Sequence, residues 1–229
     1  MTTNITFAFL MGQNPLELFK HGGPIMWPII IVSFLALSVV AERILFLLRE
    51  KASRDPKIAG KIYERVEKHD IEGAIRIGQK SNDYIARILV SALTHREFSL
   101  DDAFNQAASN ELERYQRGLA ILDTCITAAP LLGLLGTVTG MMNTFGALGG
   151  GDIAASAGTI TGGVGEALIA TASGLVIAIV VLFPFNLLNT RIEQVRRDIA
   201  NAANALNLVG QKAGGILDVT PASGTGGGI

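Results

Sequence analysis

Hydrophobic positions along this chain gather into long runs instead of recurring with the period of a strand or a surface helix. The first run starts near Pro24, passes Trp27 and the stretch from Ile29 to Ala41, is interrupted at Glu42 and Arg43, and resumes from Ile44 to Leu48. The second extends from about Leu119 to Leu148, the third from about Ile160 to Leu188. A bilayer hydrocarbon core takes about 20 residues of helix, and each run supplies that. Gly149, Gly150 and Gly151 break the helical pattern between the last two. The connection from Gly149 to Thr159 is therefore short, and those two runs form an antiparallel hairpin. The pattern predicts an all-α integral membrane protein with transmembrane helices at 23–48, 119–148 and 160–188.

The remaining segments are polar or amphipathic. In residues 49–118, Ile58, Ile62 and Val66 repeat at helical spacing, as do Tyr84, Ile88, Leu89 and Leu93. Ser99 followed by Asp102 is a helix N-terminal capping pattern. From there no Pro and no Gly pair intervenes through Arg117, which predicts one long helix from Leu100 to Leu148, on the order of 70 Å at 1.5 Å per residue. The third run should continue as a helix over 189–213, and such extensions can form a helical bundle beneath the bilayer. The Gly-rich tail, 214–229, is expected to be disordered. In the arm 1–22, Ile5 to Met11 is apolar, but no Lys or Arg precedes it, and Gly12 and Pro15 interrupt it. It is expected to be retained, with a short surface helix near Asn14 to Lys20.

Charge adds direction. Between Arg117 and Arg191 there is no Lys or Arg, and the charged side chains there are Asp123, Asp152 and Glu166. Arg49, Lys51, Arg54, Lys57, Arg114 and Arg117 flank the middle segment, and Arg191, Arg196 and Arg197 follow the third run. The positive-inside rule puts both basic regions in the cytoplasm, so the N-terminal arm and the hairpin loop lie on the outer side. Trp27 suits an interfacial anchor, and Arg43 is placed to snorkel to the headgroups. The formal net charge of −1 gives no reason to expect a nucleic-acid partner. Cys125 is the single cysteine and reads as packing. His21, His69 and His95 have no ligand-like spacing, so no metal site is expected. No phosphate-binding glycine loop or paired His/Cys set is present, and no catalytic constellation marks an enzyme.

Three polar residues within the spans carry candidate chemistry. Glu166 lies about six residues into the third span. A carboxylate in hydrocarbon is costly unless it meets protein, water or a partner, although a position near the interface would leave it merely wetted. Thr137 and Thr171, counted inward from the hairpin loop, both lie about 15 Å deep. Hydroxyls at one depth on neighbouring helices can line a pore in a ring oligomer. They can equally bond the carbonyls of their own preceding turn. Around them Ala129, Gly133, Gly136, Gly140 and Thr144, and Gly162, Gly163, Ala167, Thr171, Gly174 and Ala178, follow three- and four-residue steps that let helices approach closely.

The second span reads Ala129-Pro130-Leu131-Leu132-Gly133-Leu134-Leu135-Gly136-Thr137-Val138-Thr139-Gly140-Met141, followed by Phe145. The third reads Gly165-Glu166-Ala167-Leu168-Ile169-Ala170-Thr171-Ala172-Ser173-Gly174-Leu175. These resemble the two signature segments of the ExbB/TolQ branch of the MotA/TolQ/ExbB proton channel family, in the same order and in a three-span frame. MotA-type chains have four spans, so a flagellar stator is not expected. Pro184-Phe185-Asn186 also departs from the family's usual close of the third span.

The resemblance implies a homopentamer around a pore that admits two single-span chains of the ExbD/TolR type, each bringing an intramembrane Asp. Ion flow through that complex would pass force to a TonB-like or cell-wall-binding periplasmic partner. It also implies an inner-membrane location. The family's pore threonines fall on Thr137 and Thr171 and its third-span glutamate on Glu166. The sequence offers no carboxylate at the depth assigned to the two threonines, so the titrating acid would come from another subunit. No cofactor is expected. The translocated ion is taken as a proton, with sodium left open. The competing readings are a non-conducting scaffold of an envelope, secretion or gliding machine and, lower, a small secondary transporter, for which no internal repeat is evident.

Overall fold

The structure is a computed structural model that describes residues 19, 22–96, 99–148 and 153–212, without the side chains of 147, 148, 153–157 and 159. The expected surface helix near Asn14 to Lys20, apart from Phe19, and the tail 214–229 lie outside the described residues. Among the described residues the chain forms seven helices and no strand: α1 (Met26–Ala52), α2 (Pro56–Glu67), α3 (Ile71–Gln79), α4 (Tyr84–Thr94), α5 (Leu100–Gln116), α6 (Leu119–Leu148) and α7 (Ile153–Lys212). Three stretches, Met26–Ala52, Leu100–Gly146 and Ile160–Lys212, are long and apolar enough to cross a membrane.

Two compact units share the chain. Met1–Arg43 with Gly118–Leu187 forms one, and Ile44–Arg117 with Leu188–Ile229 the other. α1 and α7 run through both.

In the second unit, short helices are set by their caps. Asp55 accepts from the Lys57 amide with Pro56 opening α2, Asp70 accepts from Gly73 N at α3, and Asp83 accepts from Ile85 N at α4. Ser99 accepts from Asp102 N at α5, as the Ser99/Asp102 spacing predicts. Apolar faces close the core. Ile58, Ile62 and Val66 from α2, Tyr84, Ile88, Leu89 and Leu93 from α4, and Leu206 from α7 are all at most 6% exposed.

Charged residues in this unit are not all a solvated surface. Arg54 bonds both Asp83 oxygens at 3.2 Å and Asp198 Oδ2 at 2.7 Å. The Tyr84 hydroxyl donates to the same Asp198 oxygen at 2.5 Å. Arg87 spans Glu111, at 2.9 and 3.0 Å, and Glu50, at 2.7 Å, and Arg114 also bonds Glu111. Asp83 is 2% exposed. A carboxylate that buried is tolerable because Arg54, Asp55 N and Ile85 N all reach it.

The helix expected to run unbroken from Leu100 to Leu148 is divided. α5 stops at Gln116, Arg117 caps it with ψ 134°, and Gly118 takes φ +79° before α6 begins. A left-handed residue after the last turn ends a helix, and glycine adopts it without a Cβ penalty. Space demands glycine there too, since a Cβ would lie 2.9 Å from Val39 Cγ1. α7, by contrast, is continuous for 60 residues through Pro184, and it starts at Ile153 where a start near Ile160 was expected.

Candidate functional site

In the unit formed by Met1–Arg43 and Gly118–Leu187, α6 and α7 pack antiparallel along a seam of small residues. A Cβ on Gly133 would stand 2.9 Å from Thr171 Cα, and one on Gly140 2.9 Å from Gly163 O. Gly136 meets Ala170, and Gly174 faces the Ala129 carbonyl. Ala167 is 3% exposed. In lipid there is little hydrophobic drive between helices, so backbone-to-backbone approach and packing hold them together. Thr144 joins this seam, buried against Gly163 and bonded to its own Gly140 carbonyl at 2.8 Å.

The two threonines differ in what they bond. Thr171 Oγ1 donates across the seam to Gly133 O at 2.9 Å and also reaches Ala167 O on its own helix at 3.2 Å. Thr137 Oγ1 donates to Leu134 O at 2.6 Å on its own helix. In an α-helix the Gly133 carbonyl is the acceptor for the Thr137 amide. One carbonyl therefore links the Thr171 hydroxyl to the backbone of Thr137, which puts the two residues at neighbouring levels on neighbouring helices. Both side chains are half-buried.

Glu166 lies one to two turns from Thr171 along α7 and is half-buried. Its carboxylate occupies the space beside Gly23, where any Cβ would overlap it, and Gly23 has φ +69°. Gly23 O accepts from Met26 N as α1 begins. The carboxylate thus stands at the positive end of α1, a favourable place for an anion. Met26 and Ile29 pack with Ala170, and Ile25 approaches Gly136, so the first turn of α1 lies level with Thr137 and Thr171.

Trp27 is 64% exposed and makes an edge contact with Phe19 at 5.3 Å. Arg43 does not present its head outward as a snorkelling residue would. It is 2% exposed, its guanidinium bonds Glu42 at 2.5 Å, and its stem packs against Gly118. The Gly118 turn leaves room for that side chain, and burial beside Glu42 replaces the headgroup contact. Cys125 is buried, beside a groove of about 330 Å³ lined by Val32, Leu35, Ala120, Ile121, Thr124 and Ala128. Among the described residues no cluster of His, Cys, Asp and Glu could hold a metal ion.

The sequence reading missed the Arg117–Gly118 break and the burial of Arg43. A glycine directly after a basic residue that follows a 17-residue amphipathic helix is the signal that marks the first. Nothing local in the sequence marks the second.

The model of the MotA/TolQ/ExbB proton channel family matches residues 80–201. The chain is 37% identical over 205 residues to a Synechocystis biopolymer transport protein named ExbB-like 1, covering 86% of this chain and 80% of that one. It is 42% identical over 95 residues to the biopolymer transport protein ExbB of Xanthomonas campestris, covering 42% and 37%. The Tol-Pal system protein TolQ of Haemophilus influenzae is 37% identical over 99 residues, covering 43% of each chain.

Proposed function

The chain belongs to the MotA/TolQ/ExbB proton channel family, in its ExbB/TolQ branch, and from that premise we propose that it is the channel-forming subunit of an inner-membrane motor driven by the proton motive force. Homopentamers of this chain would surround a dimer of single-span ExbD/TolR-like subunits, which in turn work on a TonB-like or cell-wall-binding partner. The N-terminus and the hairpin loop would face the periplasm and the C-terminus the cytoplasm. Protons are the translocated ion in this reading.

The observation that carries the proposal is the bond from the Thr171 hydroxyl to the Gly133 carbonyl, level with Thr137. It supports the reading that two hydroxyls stand at neighbouring levels on the two helices that bear the family signatures. Hydroxyls and the waters they hold can pass a proton without a permanent charge in the span, and one charge falling through 100 mV releases about 2.3 kcal/mol. Glu166 at the same end of the spans gives that path a negative mouth on the outer side.

A non-conducting scaffold is the second reading. It is favoured by one observation: both hydroxyls already donate to backbone carbonyls of this chain. Purification of the tagged chain from its own membranes in mild detergent, with mass spectrometry of what accompanies it, separates the two. The motor reading expects a co-purifying protein with one span, an Asp in that span and an outer domain. A ring of this chain alone, even after cross-linking, would favour the scaffold.

A further inference from the structure

Asp123 lies four residues into α6, on its exposed side, and among the described residues no group bonds its carboxylate. Its depth follows from α1. Ile25 packs at Gly136 and Val39 at Gly118, so α1 runs beside α6 as a ruler. From Gly136 down to Asp123, α6 descends about 20 Å. The apolar run of α1, interrupted only by the paired Glu42 and Arg43, resumes to Leu48, and Arg49 and Lys51 follow in its last turn. A hydrocarbon core about 30 Å thick, measured from Trp27, therefore extends roughly 10 Å past Asp123. A bare carboxylate at that level is strongly disfavoured against lipid, so its face meets water or another subunit.

The same face carries more. At 3.6 residues per turn, Asp123, Thr127, Pro130, Leu134 and Thr137 fall within an arc of about 80° on α6. Thr127 Oγ1 donates to the Asp123 carbonyl at 3.0 Å. Pro130 has no N–H, so the Ile126 carbonyl one turn below loses its helical donor. Polar atoms thus recur from the Thr137 level down to Asp123 along one stripe. The charged groups of the packed elements are few. On α1, Glu42 and Arg43 pair with each other beside Gly118. On α7, no charged residue stands between Glu166 and Arg191.

We propose that Asp123 is a proton-accepting site on the cytoplasmic half of the ion path, and that the face of α6 bearing Asp123, Thr127 and Thr137 lines that path. The proposal rests on the motor reading. Asp123 forms an O–H bond with a proton arriving from pore water, and that bond breaks when a cytoplasmic water or buffer base takes the proton, which regenerates the carboxylate.

The test measures proton uptake into proteoliposomes holding the chain with its co-purified partners. Wild type, Asp123→Asn, Asp123→Glu and Thr137→Val are compared at equal ring content. Expected are a loss of at least roughly tenfold for Asp123→Asn, a flux for Asp123→Glu that is reduced but well above that of Asp123→Asn and has a displaced dependence on cytoplasmic-side pH, and loss in Thr137→Val. Wild-type flux in Asp123→Asn with loss in Thr137→Val overturns this proposal and leaves the motor reading standing. Wild-type flux in both removes the motor reading and this proposal with it. If Asp123→Asn fails to assemble, Asp123→Cys in a Cys125→Ala background is treated with a membrane-impermeant thiol reagent. Labelling from the cytoplasmic side supports a watered path, and protection from it overturns one.

Discussion

The two units of this chain handle polar groups in opposite ways. In the unit of Ile44–Arg117 and Leu188–Ile229, buried charges are joined by partners within the chain, both neighbouring and distant. Asp83 collects Arg54 and two backbone amides, and Glu111 collects Arg87 and Arg114. In the unit of Met1–Arg43 and Gly118–Leu187, hydroxyls are spent on backbone carbonyls, glycines and alanines make the contacts, and among the described residues no group bonds the carboxylate of Asp123. Where charges are neutralised within the chain they specify a fold. Where polar atoms remain open inside a membrane span, something outside the chain has to complete them, and that is where function is to be sought.

The largest effect expected on the charged side of this contrast is from Asp83→Ala. It strips Arg54 and two helix-start amides of their shared acceptor, and breaking a buried pair costs about 3–5 kcal/mol. A large fall in the thermal midpoint of the purified protein checks it, and an unchanged midpoint would mean the network carries little.

On the small-residue side, Gly174→Val sets a branched side chain against the Ala129 carbonyl and should destabilise by about 1–3 kcal/mol through overpacking. Gly146, beside which a Cβ meets nothing, should accept Ala with little change in the same melting assay.

A double-mutant cycle of Arg87→Met and Glu111→Gln should return a coupling of about 0.5–3 kcal/mol. Additive losses would demote that network to a surface contact. Burial works against the Arg87 charge, yet Glu111 and Glu50 prevail and hold its pKa above the ordinary value.

The mildest test uses the three tyrosines, Tyr63, Tyr84 and Tyr115, all in the charged unit. Burial pushes Tyr63 up from 10.0 to about 12, burial and then the bond to Asp198 raise Tyr84, and burial and then Glu50 raise Tyr115. A folded pKa above the unfolded value means that the neutral phenols contribute stability fully below pH about 10, and that this is lost as pH rises through the folded values. Alkaline titration should show no tyrosinate absorbance near pH 11 while the protein stays folded. Tyrosinate near pH 10 in the folded protein would contradict the burial.

Local pattern made much of this legible from the sequence. Ile58, Ile62 and Val66 announce a buried face by spacing, Ser99 announces a helix start by its side chain, and the glycine steps of the hairpin announce close approach. What stayed hidden depends on residues far apart in the chain. Asp198 meets Arg54 across 144 positions, and Arg87 meets Glu50 across 37, separations that no local spacing reveals. Arg43 reads as a snorkelling residue by its position in the run, but the Gly118 turn makes room for it inside the fold. The depth of the threonines is a related case. Counted from the hairpin loop they lie about 15 Å in, yet α1 packs its first turn at their level, a register that no single helix encodes. Asp123 falls within the 119–148 run read from the sequence, and that register sets its depth.

Proton uptake driven by an imposed potential, in proteoliposomes of the complete complex, tests the central claim most directly when Thr171→Val is compared with Thr171→Ser. Valine removes the donor to Gly133 O at a stability cost of about 1 kcal/mol, while serine keeps it. The account predicts that flux collapses in Thr171→Val and returns in Thr171→Ser with the ring intact in both. Equal, undiminished flux in the two variants would contradict it.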